Sequence, residues 1–184
     1  FLKIHVPILD YVLFKGKDIK FTNLKESYNH DSFVIQSKEG SGGSGTIILD
    51  EENHKSLKFN NDEIYMVTKC CKNNIPINIH LLISENDITL LPISIQIIEK
   101  INNKLAYKGC DFIACKKNVD NPLLTKINNY ALKIGKLMQK KGYRGIMGID
   151  SICYNKEVYF MEINPRFQNS SIVLNKALFE QNLP

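Results

Sequence analysis

No stretch of the chain approaches the roughly 18–20 consecutive apolar residues that a membrane-spanning helix needs, so a helical transmembrane protein is excluded. Nothing near Phe1 has the basic-then-apolar layout of a secretory signal, and the residues up to Pro184 stop in mid-pattern. The sequence reads as an excised piece of a longer chain. There is no arginine-rich arm and no basic helix: Lys and Arg total 24 against 19 Asp and Glu, a net charge of +5, with the lysines scattered. That distribution offers no dedicated grip for nucleic acid, and the mild excess suits a small anionic ligand about as well as a polymer. The cysteines (Cys70, Cys71, Cys110, Cys115 and Cys153) are odd in number and lack CxxC spacing. A zinc site is not expected; small core thiols in a reducing, cytoplasmic setting are.

What is there is globular. The chain has 184 residues, 43% hydrophobic and 23% charged, enough for one domain or two small lobes sharing a cleft. β-rich runs at 32–38 and 46–49 flank Glu39-Gly-Ser-Gly-Gly-Ser-Gly45, which predicts a strand, a flexible flap and a return strand. The flap has the composition of an expression linker, but a linker would not sit tightly between two strand-like runs. Further strands are expected at 63–68, 75–84 and 88–98, with Asn86-Asp87 turning between the last two. Before residue 121 nothing has a helical period. Then Asn121 as cap, Pro122 in the first turn, apolar residues from Leu123 to Met138 at spacings of three and four, and Gly142 as stop predict one long helix. Strands at 145–152 and 158–163 follow, joined by a polar turn at 154–157. A loop at 164–172 and a helix from Ile172 to Glu180 complete the pattern.

Glycines let backbone N–H groups approach phosphate oxygens without a Cβ in the way. Here no Gly-Lys-Ser/Thr ends the loop and a strand follows it, which excludes a Walker loop and a dinucleotide fingerprint. A hairpin flap over phosphates and an ordinary mobile hairpin both remain open. A second constellation is more specific. Strand alternation puts Gly148 and Asp150 on one face, and Phe160, Glu162 and Asn164 on one face of the next strand. Paired as a hairpin, the two strands bring Asp150, Glu162 and Asn164 together as hard oxygen donors suited to Mg²⁺. Pro165 ends the strand, and the Arg166 guanidinium beyond it can hold a phosphate or carboxylate. Taken singly, each acid reads more readily as a solvated strand residue; with Arg166 and a glycine flap upstream, that preference reverses. Asn78, His80 and Leu82 share a strand face. His80 therefore either lines the same cleft or, more commonly for a lone histidine, is partly buried and hydrogen-bonded. Ser41 and Ser44 have no His/Asp pairing and are not nucleophile candidates.

The order of glycine flap, β-rich middle, helix, strand with Asp150, and Glu162-Ile-Asn-Pro-Arg166 resembles the ATP-grasp superfamily over Phe33 to Asn175. Within it, the chain is most similar to the biotin carboxylase and carbamoyl phosphate synthetase-like branch and its carboxylate–amine ligase relatives. The resemblance implies an α+β fold of two lobes, 1–68 with the flap and 69–184 with the magnesium site, the nucleotide lying in the cleft between antiparallel sheets. It implies ATP and Mg²⁺ as cofactors, with Mn²⁺ as a substitute. The activity it implies is ADP-forming ligation of a small-molecule carboxylate, activated as an acylphosphate, to an amine. Asp150, Glu162 and Asn164 fall on the family's metal ligands, and Arg166 on the arginine facing the transferred phosphoryl group. Ser41, Gly42, Gly43 and Ser44 fall on the phosphate flap, Lys69, Cys70 and Cys71 on the segment that meets the adenine edge, and Asn78 and Gln96 on nucleotide-side positions. There are two departures: Gln36 stands where the family carries a lysine for the α-phosphate, and Thr68 where the hinge opens with an acid. Lys38 shares the Gln36 face and is expected to supply the missing charge. A bicarbonate-activating enzyme of the same superfamily is a second reading, and a non-catalytic nucleotide-binding module, suggested by Gln36, a third. Flanking domains of the same chain are expected partners; nucleic acid and membrane are not.

Overall fold

The computed structural model describes residues 4–37, 45–101 and 104–180, with side chains up to Lys176. The chain divides into two compact units, Leu9–Lys72 with Ile98–Lys108, and Asn73–Ile97 with Phe1–Ile8 and Gly109–Pro184. The boundary expected between residues 68 and 69 is thus displaced. Backbone pairing explains the shift: the Cys70 N–H donates to the Ser32 carbonyl at 3.0 Å, which ties the hinge residues to the smaller unit.

In the smaller unit, strands β1 (Tyr11–Lys15), β2 (Ser32–Ser37), β3 (Thr46–Asp50) and β4 (Ile64–Lys69) pair antiparallel in the order β1-β4-β2-β3. Helix α1 (Phe21–Tyr28) lays Phe21 and Leu24 against Phe33, Ile35, Leu49, Tyr65 and Val67, so one face of this sheet is core. The other face carries Ser32, Val34 and Gln36 of β2 beside Thr68 and Met66 of β4. Neither β1 nor α1 was legible from the sequence pattern. Tyr11, Val12 and Leu13 of β1 are exposed, and α1 buries only two residues, so neither leaves a clear apolar period.

The larger unit holds β5 (Ile75–Ile83), β6 (Ile88–Leu90), the start of β7 (Ser94–Ile101), the end of β8 (Lys104–Asp111), α2 (Phe112–Asn118), α3 (Asn121–Lys140), β9 (Gly145–Tyr154), β10 (Glu157–Asn164) and α4 (Asn169–Glu180). β5 pairs with β7 and β9, and β9 with β10, all antiparallel. Ile77, Ile79 and Leu81 of β5 and Met147 and Ile149 of β9 are fully buried with Ile127, Ala131 and Ile134 of α3. Gly135 permits the close approach of helix to sheet, since a Cβ there would lie 3.0 Å from both Leu81 Cδ1 and Ile88 Cγ2.

The long helix forms as expected, but Asp120 rather than Asn121 caps it, accepting the Leu123 N–H at 2.9 Å. Gly142, at φ +88°, ends it. The strand expected at 88–98 is two strands, broken around Pro92, which cannot donate a ladder hydrogen bond. α4 starts at Asn169, inside the expected loop. α2, a seven-residue helix capped by Asp111 that buries only Cys115, and β8 were both unforeseen. Asn155 and Lys156, at φ 50° and 62°, form the two-residue left-handed turn that joins β9 to β10. No described helix is long and apolar enough to cross a membrane.

Candidate functional site

The face of the larger unit's sheet opposite α3 is polar because β5 and β9 alternate in phase. On β5, Asn78 and His80 point away from the core; on β9, Gly148 and Asp150 do; Asn78 pairs with Asp150 and His80 with Gly148. β10 joins them by a different route. Val158 and Phe160 face the core, so strict alternation would turn Glu162 and Asn164 toward the core as well. A bulge between Phe160 and Glu162 inserts Met161, after which Glu162 opposes Asp150 and Asn164 opposes Gly148. The expectation that Phe160 shares the face of Glu162 and Asn164 is therefore wrong, while the convergence of Asp150, Glu162 and Asn164 does occur. The extra residue re-aims the strand end.

Asp150 sits at the centre of a collar of amides. Its Oδ1 accepts from Asn78 Nδ2 at 2.7 Å and Gln96 Nε2 at 2.6 Å, and its Oδ2 from Asn164 Nδ2 at 2.9 Å. Gln168 Nε2 adds a longer contact of 3.4 Å to each oxygen. The carboxylate is held by neutral donors, so its charge is fixed in place without being cancelled by a cation. Gln168 reaches it because residue 148 is glycine: a Cβ there would lie 1.5 Å from Gln168 Oε1. Asn78 and Gln96, expected near the nucleotide, are thus also partners of the expected metal ligand. Gln168, Ser170 and the need for Gly148 were missed; a glycine inside a strand, which marks close approach, was the available signal.

Mg²⁺ fits this donor set. Asn164 spends its amide on Asp150, which leaves its Oδ1 on the side of Arg166, whose Nη2 lies at 3.4 Å. Glu162 offers a carboxylate, and Asp150 Oδ2 retains more acceptor capacity than Oδ1. Desolvation, followed by the charge of Asp150, pushes the Glu162 carboxyl above its ordinary pKa, while Arg166 and a hydrogen bond from Asn164 pull it back. Solvent screening at this exposed residue limits what the shift is worth. Arg166 is exposed, its N–H bonded to the Asn164 carbonyl at 2.8 Å and its Nη1 to the Phe167 carbonyl at 3.0 Å.

In the smaller unit, Gln36 Oε1, Thr68 Oγ1 and Ser32 Oγ are buried on one sheet face without a hydrogen-bond partner among the described residues. Such atoms are costly unless a polar ligand meets them. Cys70 is less free than expected. Its N–H is spent on Ser32, and its carbonyl accepts from His30 Nε2 at 3.1 Å. Lys69 is exposed and Cys71 buried. Lys38, Ser41, Gly42, Gly43 and Ser44 lie outside the described residues.

A family model for the ATP-grasp domain matches residues 4–170. Solved structures of similar fold include biotin carboxylase of Campylobacter jejuni, with a TM-score of 0.69 and 18% identity over 95% of this chain and 40% of that one. An N5-carboxyaminoimidazole ribonucleotide synthetase in its ADP complex gives 0.68 and 18%, over 92% and 43%. D-alanyl-alanine synthetase A of Vibrio cholerae gives 0.67 and 12%, over 88% and 51%. The [butirosin acyl-carrier protein]–L-glutamate ligase of Niallia circulans is 26% identical over 149 residues, covering 77% of this chain and 34% of the ligase. The chain thus spans about a third of that relative's length. At these identities the solved structures testify to the fold, and the domain model, matched over most of the residues described above, to the lineage: the chain belongs to the ATP-grasp family.

Proposed function

We propose that the chain is the nucleotide-binding and phosphoryl-handling part of an ADP-forming ligase that joins a carboxylate to an amine. The observation that carries this reading is the convergence of Asp150, Glu162, Asn164 and Arg166 at one sheet end. Similarity to a ligase acting on a carrier protein supports it. Glu162, Asn164 Oδ1 and Asp150 Oδ2 would hold Mg²⁺, which supplies charge neutralisation at nucleotide phosphate oxygens. Asn78, Gln96 and Gln168 keep the Asp150 carboxylate oriented for that role. Arg166, exposed and tethered through its backbone, presents a guanidinium fork to an anionic reacting group. Gln36 and Thr68 offer neutral polar atoms to the nucleotide, and Lys38, two residues along the sequence from Gln36, supplies the cation.

No covalent step on the protein is needed. The Ser170 hydroxyl proton is committed to Asn78 Oδ1 at 2.8 Å, and burial pushes the Cys153 thiol up to about 12, far from a thiolate at neutral pH. A cytoplasmic setting belongs to the same reading and is supported by five unbridged cysteines. The test is ADP release by the full-length protein with Mg²⁺ and ATP. Release that requires both a carboxylate and an amine bears the proposal out. Release driven by bicarbonate alone reassigns the protein to the bicarbonate-activating branch, and no release under any acceptor makes it a nucleotide-binding module.

A further inference from the structure

We infer that His80 and Ser170 are positioning residues that lock the Asn78 amide, and through it the Asp150 carboxylate, in the orientation the cation site requires. Three buried polar side chains form a line behind Asp150: Asn78 is 2% exposed, Ser170 3% and His80 0%. Ser170 Oγ lies 2.8 Å from Asn78 Oδ1 and 3.0 Å from His80 Nε2.

The protons along this line follow from one charge. Asp150 can only accept, so the Asn78 atom 2.7 Å from it is the NH₂, which also donates to Gln168 Oε1 at 2.9 Å. Asn78 Oδ1 must then face Ser170, whose single hydroxyl proton goes to it. Ser170 Oγ has no proton left for His80, so His80 Nε2 is the donor. A neutral imidazole carries one proton, which leaves Nδ1 bare. Nδ1 is in fact buried without a partner among the described residues, tolerable for a lone pair and costly for an N–H. Burial lowers the His80 pKa, partly offset by the charge of Asp150, in keeping with a neutral ring.

The chain His80 Nε2–H to Ser170 Oγ–H to Asn78 Oδ1 thus prevents Asn78 from turning its carbonyl toward Asp150. It also ties the first turn of α4, three residues beyond Phe167, to β5, so the segment carrying Arg166 and the strand behind Asp150 are held by one network. Only the nucleotide readout below rests on the proposed function.

The test uses the full-length protein labelled with ¹⁵N-histidine. The His80 resonances, assigned by their loss in His80→Gln, should show a protonated Nε2 and a bare Nδ1; the opposite tautomer, or a doubly protonated ring at neutral pH, overturns the inference. Ser170→Ala and His80→Leu should each weaken Mn²⁺·ATP binding by about tenfold, the scale of one lost buried hydrogen bond. His80→Gln, whose amide N–H can replace Nε2–H, should stay within about threefold of wild type on the same scale. Unchanged binding in folded Ser170→Ala, or His80→Gln as weak as His80→Leu, refutes the positioning role. A wild type that binds Mn²⁺·ATP but ligates nothing sinks the proposed function and leaves this inference standing.

Discussion

The two units present polar sheet faces built on opposite principles. In the larger unit, the charge at the centre is satisfied from within: Asp150 accepts amide protons from Asn78, Gln96, Asn164 and Gln168. In the smaller unit, Ser32, Gln36 and Thr68 keep buried polar atoms without partners among the described residues. Even the larger face has exceptions in His80 Nδ1 and Ser94 Oγ, but its central anion has none. On the proposed function, the difference separates two ways of preparing for a ligand. A face that must hold a cation needs its carboxylates fixed beforehand, because a loose anion loses geometry and affinity together. A face that meets a neutral polar edge can leave donors and acceptors open at a cost in stability. Substitutions among the amides that hold Asp150 should damage function and stability in the same direction; on the second face, in opposite directions.

The largest expected effect is on the first face. Asn164→Ala removes a donor to Asp150 and an oxygen on the side of Arg166, and Glu162→Ala removes the exposed carboxylate. Each should lower nucleotide-dependent turnover at least about 100-fold, the scale of losing one preorganised group at developing charge. The fold should persist, with melting shifted by roughly 2–4 °C for Asn164→Ala, the equivalent of about 1 kcal/mol in a chain of this size. Near-normal turnover in either full-length variant, measured by coupled ADP release, would remove the site from consideration. Next in size is Gly148→Ala. The new Cβ evicts the Gln168 amide from its place over β9, so Asp150 loses one of four partners while the strand keeps its pairing. Turnover should fall about tenfold, with stability changed by less than about 1.5 kcal/mol because Gln168 can swing into solvent. If stability collapses while turnover survives, the close approach at residue 148 serves packing alone.

How far all this was readable from the sequence depends on what each element buries. Leu123, Ile127, Ala131 and Ile134 repeat at helical spacing, and Ile77, Ile79, Leu81 and Ile83 of β5 repeat at every second residue, so α3 and the central strands were legible. α1, α2 and β1 were not, since each buries two residues or fewer and its sequence mostly answers to solvent. The site followed the same logic. Asp150, Glu162 and Asn164 were found as a group, but through an alternation that also put Phe160 on their face. A bulge leaves no mark in a period-two pattern beyond a phase slip, here from Phe160 to Ile163 as the core-facing residues. Gln168 and Ser170 lie past Pro165, where strand periodicity has ended and no regular spacing ties them to Asn78.

A smaller effect, of opposite sign, is expected on the second face. Thr68→Val keeps the β-branched shape and removes a buried hydroxyl that has no partner among the described residues. Gln36→Leu does the same for an amide oxygen. Each should raise the stability of the protein without nucleotide by about 1 kcal/mol in urea unfolding. Each should also weaken ATP binding. If both variants lose stability, those atoms have partners, and the contrast between the two faces disappears.

The smallest effect concerns Glu162, the acid of the first face whose carboxyl is pushed up. Desolvation and the neighbouring Asp150 raise its folded-state pKa above the ordinary value of 4.5, so around and just above that pH the folded chain binds more protons than the unfolded one. By linkage, stability then falls as pH rises through the window from 4.5 up to the raised value, and the loss persists above it. Below the unfolded value both states are protonated and the residue contributes nothing. Glu162→Gln removes this dependence. The variant should therefore melt slightly above wild type at pH 7 without divalent cations, and the gap should close as pH is lowered past 4.5. Mg²⁺ with nucleotide should reverse the order at pH 7, because only the carboxylate gains a cation. Melting curves of both proteins across this range, with and without Mg²⁺·ATP, give the answer. A wild type more stable than Glu162→Gln at pH 7 in the absence of metal would mean that Arg166 and Asn164 outweigh desolvation and Asp150, and that Glu162 is held as firmly as Asp150.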